Sequence, residues 1–239
     1  MAGSRTLTQV AERILIRRIR RLKPRDRVLI TARLFTGFRI SEILSLTIGQ
    51  VFCNGRIADT VGVRPAYLKG HYGSTRWVPV CPELRRSLEQ YLALRARRGL
   101  LCASDPLFLS REHDASGQPK PLGRSAAEKF IGRILRQIAK ANPQQLSSHS
   151  LRKSWARRLY EKSGHDLMLV RDGLGHSSVS VTQAYLSVDR DCLEEFIVAG
   201  DWTKRPRKVK PATLPLTTLP LPVQPATILC LPGFEHLVA

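Results

Sequence analysis

The sequence predicts a mainly α-helical fold with a small three-stranded antiparallel β-sheet near its middle. Three observations predict it. Apolar residues recur at helical spacing as far as Leu46 and again beyond Pro82. From Val51 to Val80 the texture changes to short β-prone pieces punctuated by Gly55, Gly62, Pro65, Gly70, Gly73 and Pro79. Helical periodicity then returns and holds to about Val198, interrupted by one Gly- and Pro-containing loop over roughly 102–122.

In order, residues 8–22 read as a basic amphipathic helix, with Val10, Ile14 and Ile19 toward a core and Arg13, Arg17, Arg20 and Arg21 outward. Pro24 ends it, and 25–35 reads as a second, more apolar helix. Gly37 breaks that helix, and 41–46 is helical again. The strands are 57–63, 66–68 and 75–80, the last two forming a hairpin across Gly70-His71-Tyr72-Gly73. Pro82 and Glu83 open a helix reaching about Arg97. Helices follow at 125–140, 150–162 and 166–174; a shorter one holds Tyr185 and another covers 192–198. Beyond a basic run at 204–210, residues 211–232 carry no charge and are rich in Pro, Leu and Thr. Such composition does not build a packed core. The expected organisation is therefore a globular domain over 1–203 and a disordered or loosely docked tail over 204–239.

The 239 residues carry a formal charge of +20, and a chain this basic usually meets a polyanion, most often nucleic acid. The alternatives are a ribosome-like or membrane-surface basic protein. The first thirty residues are dense in arginine and lack the apolar region of a signal peptide. No apolar run approaches the roughly 20 residues of a membrane span. Cys53, Cys81, Cys102, Cys192 and Cys230 are scattered, which argues for a reducing compartment and against structural zinc.

Six polar side chains stand in distinctive settings. Arg39 lies in an apolar stretch, three residues before Glu42, which can buttress it. Lys69 sits at the top of the expected hairpin. His149 and Arg152 share the first turn of a helix that Ser147 and Ser148 can cap, where backbone N–H groups favour an anion. His176 follows Gly175 at a helix end, and Tyr185 lies nine residues on. Each has a plainer reading: an intrahelical ion pair, a solvated turn lysine, a basic helix surface, a core tyrosine between Val181 and Val188. Jointly they supply fixed cations, a titratable cation, imidazoles and a phenol, without a carboxylate cluster at metal-ligand spacing. That inventory suits attack on a phosphodiester by tyrosine, with arginine neutralising charge in place of magnesium.

The ordered strings Thr36-Gly37-Phe38-Arg39-Ile40-Ser41-Glu42, His149-Ser150-Leu151-Arg152 and Leu174-Gly175-His176-Ser177, with Tyr185 beyond, resemble the phage-integrase family of tyrosine recombinases. Lys69 ahead of Arg76-Trp77-Val78-Pro79-Val80 looks like that family's β-hairpin lysine. The resemblance covers about 8–198 and implies a catalytic domain that cuts and rejoins DNA without cofactor or metal. It implies that Tyr185 attacks the scissile phosphate to form a 3′-phosphotyrosyl link, and that Arg39 and Arg152 clamp its non-bridging oxygens. His176 adds a hydrogen bond there, His149 assists proton movement at the nucleophile, and Lys69 protonates the departing 5′-oxygen.

Further expectations follow. Arg17, Arg20, Arg21 and Lys153 are candidate DNA contacts. The partner is double-stranded DNA, bound by a homo-oligomer, a tetramer on two paired sites, with an accessory DNA-binding protein left open. The setting is the cytoplasm of a bacterium, the gene belonging to the host, a phage or a mobile element. Family members commonly carry an N-terminal core-binding domain; this chain reads as a catalytic domain without a separate one, or as a piece of a longer gene. Against a recombinase stand a non-catalytic DNA-binding relic and a type IB topoisomerase-like enzyme.

Overall fold

The computed structural model of the chain describes residues 4–64, 75–138 and 146–186, apart from the side chain of residue 184. Residues 4–155 of these belong to one compact unit and 156–186 to a second. Mainly helical structure with small antiparallel sheets is the observed class.

The first unit opens with α1 (Gln9–Ile19), whose cap is Thr8: its hydroxyl accepts from the Ala11 N–H at 3.2 Å. Leu15 and Ile19 are its buried stripe, and Arg13, Arg17, Arg20 and Arg21 are exposed. Val10, expected in the core, is 65 % exposed. It precedes Ile19 by two and a half turns and so lies about 180° round the helix. Pro24 occupies the first turn of α2 (Pro24–Thr36), where its missing N–H costs nothing. Residues 28–34 of α2 are all buried, and Gly37 ends the helix in the left-handed region at φ 63. Two short helices follow, α3 (Ile40–Leu44) and an unanticipated α4 (Ile48–Val51).

β1 (Phe52–Cys53) pairs with β2 (Arg56–Ile57), and β3 (Thr60–Val63) with β4 (Arg76–Pro79), both antiparallel. The expected strand 57–63 thus divides. Asp59 is the reason: its carboxylate accepts from Arg85 at 2.7 Å and its carbonyl from the Val80 N–H at 2.8 Å, so the chain turns there and each half takes its own partner. The expected strand 66–68, the hairpin tip and Lys69 lie outside the described residues, as do the 192–198 helix and the tail.

α5 (Pro82–Ala96) starts at Pro82 as expected and packs against α2. The stretch read as a loop over 102–122 is corrected: it holds a hairpin of β5 (Leu109–His113) and β6 (Pro119–Pro121). Its tip is organised by Asp114, whose Oδ1 accepts from the Ser116 and Gln118 N–H groups, each at 2.9 Å. Most of its residues are exposed, so it lacks the apolar alternation that announces a strand. α6 (Arg124–Ile138) and the start of α7 (Ser148–Lys162) complete the unit. Its core joins Leu15, Leu29, Leu34, Phe38, Ile43, Leu88, Ile131 and Leu151 in one cluster.

The second unit contains the rest of α7, then α8 (Leu167–Leu174) and α9 (Val179–Leu186). Asp166 caps α8, accepting from the N–H groups of Met168 and Leu169 at 2.8 and 3.0 Å. Gly175, at φ 63, closes it. Among the described residues no helix is long and apolar enough to cross a membrane.

Candidate active site

The left-handed Gly37 lets the chain reverse after α2 and deliver Phe38 to the core and Arg39 to the start of α3. Arg39 is the N-cap of α3, and Glu42, three residues on, reaches back to it. Glu42 Oε2 accepts from the Arg39 backbone N–H at 2.6 Å, and Oε1 accepts from Arg39 Nη1 at 2.7 Å. Glu42 is fully buried, and its Oε2 also faces Arg76 Nη2 at 3.2 Å and Arg152 Nη1 at 3.7 Å. One carboxylate thus serves three guanidiniums. Desolvation pushes its carboxyl up, but the fields of Arg76 and Arg152 and the two bonds from Arg39 outweigh it and hold the group below the ordinary range.

Arg76 enters this cluster because β4 alternates: Arg76 and Val78 face in, Trp77 and Pro79 out. Its guanidinium lies 4.3 Å from the centre of the Phe38 ring. Burial, and then the fields of Arg152, Arg39 and Arg33, pull Arg76 down to about 9 against the opposing pull of Glu42, leaving it charged at neutral pH.

α7 supplies the other side. Ser147 caps it, its hydroxyl accepting from the His149 N–H at 3.1 Å while its own N–H donates to Ser150 Oγ at 3.1 Å. His149 and Arg152 both stand at the start of α7 but differ in their surroundings. Arg152 is fully buried, with Nη1 donating to the Gly37 carbonyl, whereas His149 is exposed. Desolvation of the ring, followed by the fields of Arg33, Arg152, Lys153 and Arg39, pushes the His149 imidazole down to about 4. His149 is therefore neutral at pH 7.

The second unit brings together His176 and Tyr185. The His176 ring stands edge-on to the Tyr185 ring, centroids 5.3 Å apart, and its Nδ1 is 3.1 Å from Thr182 Oγ1. Left-handed Gly175 makes this placement, and the His176 N–H donates to Arg171 O at 3.0 Å. Tyr185 is half-buried.

Of the sequence-predicted residues, Arg39, Glu42, His149 and Arg152 gather in the first unit, and His176 and Tyr185 in the second. Lys153 is half-buried near His149, Arg17 stands exposed on α1, and Arg20 and Arg21 stand exposed just past its end. Two participants escaped sequence reasoning: Arg33 and Arg76. Both carried a signal, for Arg33 interrupts an apolar helix and Arg76 takes an inward position on an alternating strand. Among the described residues no three His, Cys, Asp or Glu side chains converge on a metal site, and Glu42 is committed to arginine. Chemically, three guanidiniums around one carboxylate leave a positive surplus that suits an anion.

Residues 5–191 match the model of the phage integrase family. The tyrosine recombinase XerC of Pelobacter propionicus is 30% identical over 171 residues, covering 72% of this chain and 50% of the relative. Tyrosine recombinase XerA of Pyrococcus furiosus is 28% identical over 196 residues, covering 81% and 60%. Among solved structures, XerH site-specific recombinase bound to its difH substrate aligns with TM-score 0.59 and 26% identity, over 85% of this chain and 55% of that one. XerA recombinase aligns with TM-score 0.64 over 86% and 66%, at 23% identity, a likeness of fold. The chain spans about half the length of the XerC relatives it matches.

Proposed function

The chain belongs to the phage integrase family, and on that premise we propose that it is a site-specific recombinase that cleaves and rejoins double-stranded DNA through a 3′-phosphotyrosyl intermediate. The observation that carries the reading is the Glu42-centred cluster. It holds Arg39, still 27% exposed, where its charge reaches a neutral His149 at the capped start of α7. A phosphodiester is the anion such a pair suits, a fork for two oxygens with a proton acceptor alongside.

In this proposal Tyr185 Oη attacks phosphorus, forming the O–P bond as the bond to the 5′-oxygen breaks. His149 takes the phenolic proton, and Lys69 gives a proton to the departing oxygen. A free phenol has a pKa near 10, so the cationic field is needed to make it a nucleophile. Arg39 and His176 bond the non-bridging oxygens. Arg152, fully buried and holding the Gly37 carbonyl, completes the clamp in this proposal. The phosphotyrosyl ester conserves the bond energy, so rejoining needs no ATP. Relatives named as recombinases favour this over a topoisomerase-like or non-catalytic role. Assembly as a tetramer on two sites, in the cytoplasm of its host, belongs to the same proposal, with Arg17, Arg20, Arg21 and Lys153 as backbone contacts.

The test is covalent capture. The protein is incubated with a pool of nicked duplexes of randomised sequence, denatured, and probed for attached DNA. Attachment that disappears in Tyr185→Phe supports the proposal; attachment that survives it removes Tyr185 from its role.

A further inference from the structure

The turn carrying Arg39 is held by two buried guanidiniums. Arg152 Nη1 donates to the Gly37 carbonyl, and Arg33 Nη1 donates to the next one, that of Phe38. Arg33 also donates from Nε to the Ser148 carbonyl at 3.0 Å. Arg33, 2% exposed, crosses from the last turn of α2 to the first turn of α7, 115 residues away in sequence.

The two acceptors have a common property. The Phe38 carbonyl belongs to the peptide that leads into Arg39, and the Ser148 carbonyl to the peptide that leads into His149. We infer that Arg33 is a positioning residue: one buried fork ties the backbone before Arg39 to the backbone before His149 and so fixes the spacing of the two groups. This rests on the proposal that Arg39 and His149 meet a phosphodiester. Arg33 itself is too buried to touch one.

Arginine suits the task where lysine does not. Its nitrogens are rigidly coplanar and can hold two carbonyls at a set separation, whereas an ammonium is a single centre on a flexible stem. Spacing matters because a fork and a proton acceptor serve one anion only when both reach it together. Arg33 also adds to the positive field at His149. A role through charge alone would survive replacement by lysine, and a role through positioning would not.

The experiment compares the full chain with Arg33→Lys and Arg33→Met, titrating inorganic phosphate and following the Arg39 Nε–H and His149 ring resonances, with melting temperature recorded separately. Arg33→Lys is expected to bind phosphate about tenfold more weakly, as loss of a hydrogen bond to a charged group implies, even at a melting temperature close to that of the parent. Wild-type affinity in Arg33→Lys overturns the inference in favour of charge. Wild-type affinity in both variants, with only the melting temperature lowered, overturns it in favour of a purely structural role. Should neither variant fold, or the parent not bind phosphate, the parent decides: the Arg33 Nε–H must exchange with solvent far more slowly than that of exposed Arg17, and equal rates overturn the inference. None of these readings uses DNA. They can fail while Tyr185 still forms a covalent adduct, and succeed where it does not.

Discussion

Glu42 grips Arg39 at both ends: Oε2 accepts from its backbone N–H at 2.6 Å and Oε1 from its Nη1 at 2.7 Å. The first bond starts α3 and the second aims the side chain. Helix capping and presentation of the cation are thus one interaction, and Arg76 and Arg152 share the same carboxylate.

Glu42→Gln keeps the shape and removes the charge. Arg76 and Arg152 are buried and would lose their common counter-charge. Removing one partner of a buried pair costs about 3 kcal/mol or more. Urea unfolding should show a loss of that order, and a loss below about 1 kcal/mol would mean that Glu42 is not the centre of the cluster.

Acid should weaken the fold in two stages. His149 sits near 4 when folded against 6.5 for a free imidazole, so between these values the unfolded chain binds the extra proton. Stability therefore falls as pH drops from about 6.5 toward 4. Glu42 is depressed when folded, so its contribution is present above 4.5 and is lost as pH falls through its lower folded value. Melting temperatures measured against pH should show both stages, and His149→Gln should abolish the first alone. A His149→Gln curve that parallels the parent between pH 7 and 5 would contradict this assignment.

Gly37 cannot be replaced cheaply. Its φ of 63 disfavours a side chain, and an added Cβ would lie 2.7 Å from Trp155 Cδ2. Gly37→Ala should cost about 1–3 kcal/mol. Adding Trp155→Ala should relieve the clash while leaving the backbone strain, so the double variant should cost less than the sum of the two single ones. Strict additivity would show that the ring yields freely.

The exposed arginines at the end of α1 and just beyond it test the DNA reading through salt. Replacing Arg17, Arg20 and Arg21 together with alanine should weaken binding to all sequences alike and flatten the log–log salt dependence by up to about 3, roughly one per lost phosphate contact. An unchanged slope would take α1 off the DNA.

Much of this was legible in the sequence. Pro24 marks the break between the first two helices, Pro82 a helix start, and Gly37 and Gly175 helix ends, because each residue's backbone chemistry acts locally. The Arg39–Glu42 pair was legible for the same reason, being three residues apart. What escaped depends on long-range register. Arg76 reaches Glu42 only because β3 and β4 pair with Val63 opposite Arg76. Arg33 reaches Ser148 across the packing of α2 and α7, which no local pattern encodes. The β5–β6 hairpin escaped because a surface ribbon has no buried face to impose alternation. Val10 was misplaced because a narrow stripe of Leu15 and Ile19 suffices to seat α1.

Lys69 can be separated from the arginines by its leaving group. A general acid matters only where the departing atom needs a proton, and a bridging 5′-phosphorothiolate leaves readily without one. Lys69→Ala should be slow on ordinary DNA and largely rescued on the sulfur substrate, whereas Arg39→Ala should be slow on both. Absence of rescue would assign the acid elsewhere.

The central claim is that Tyr185 carries the DNA. The most direct measurement is mass spectrometry of the captured adduct after nuclease and protease digestion. The account predicts a 3′-linked phosphonucleotide on the peptide containing Tyr185. A nucleotide on any other residue, or one linked through a 5′-phosphate, would contradict it.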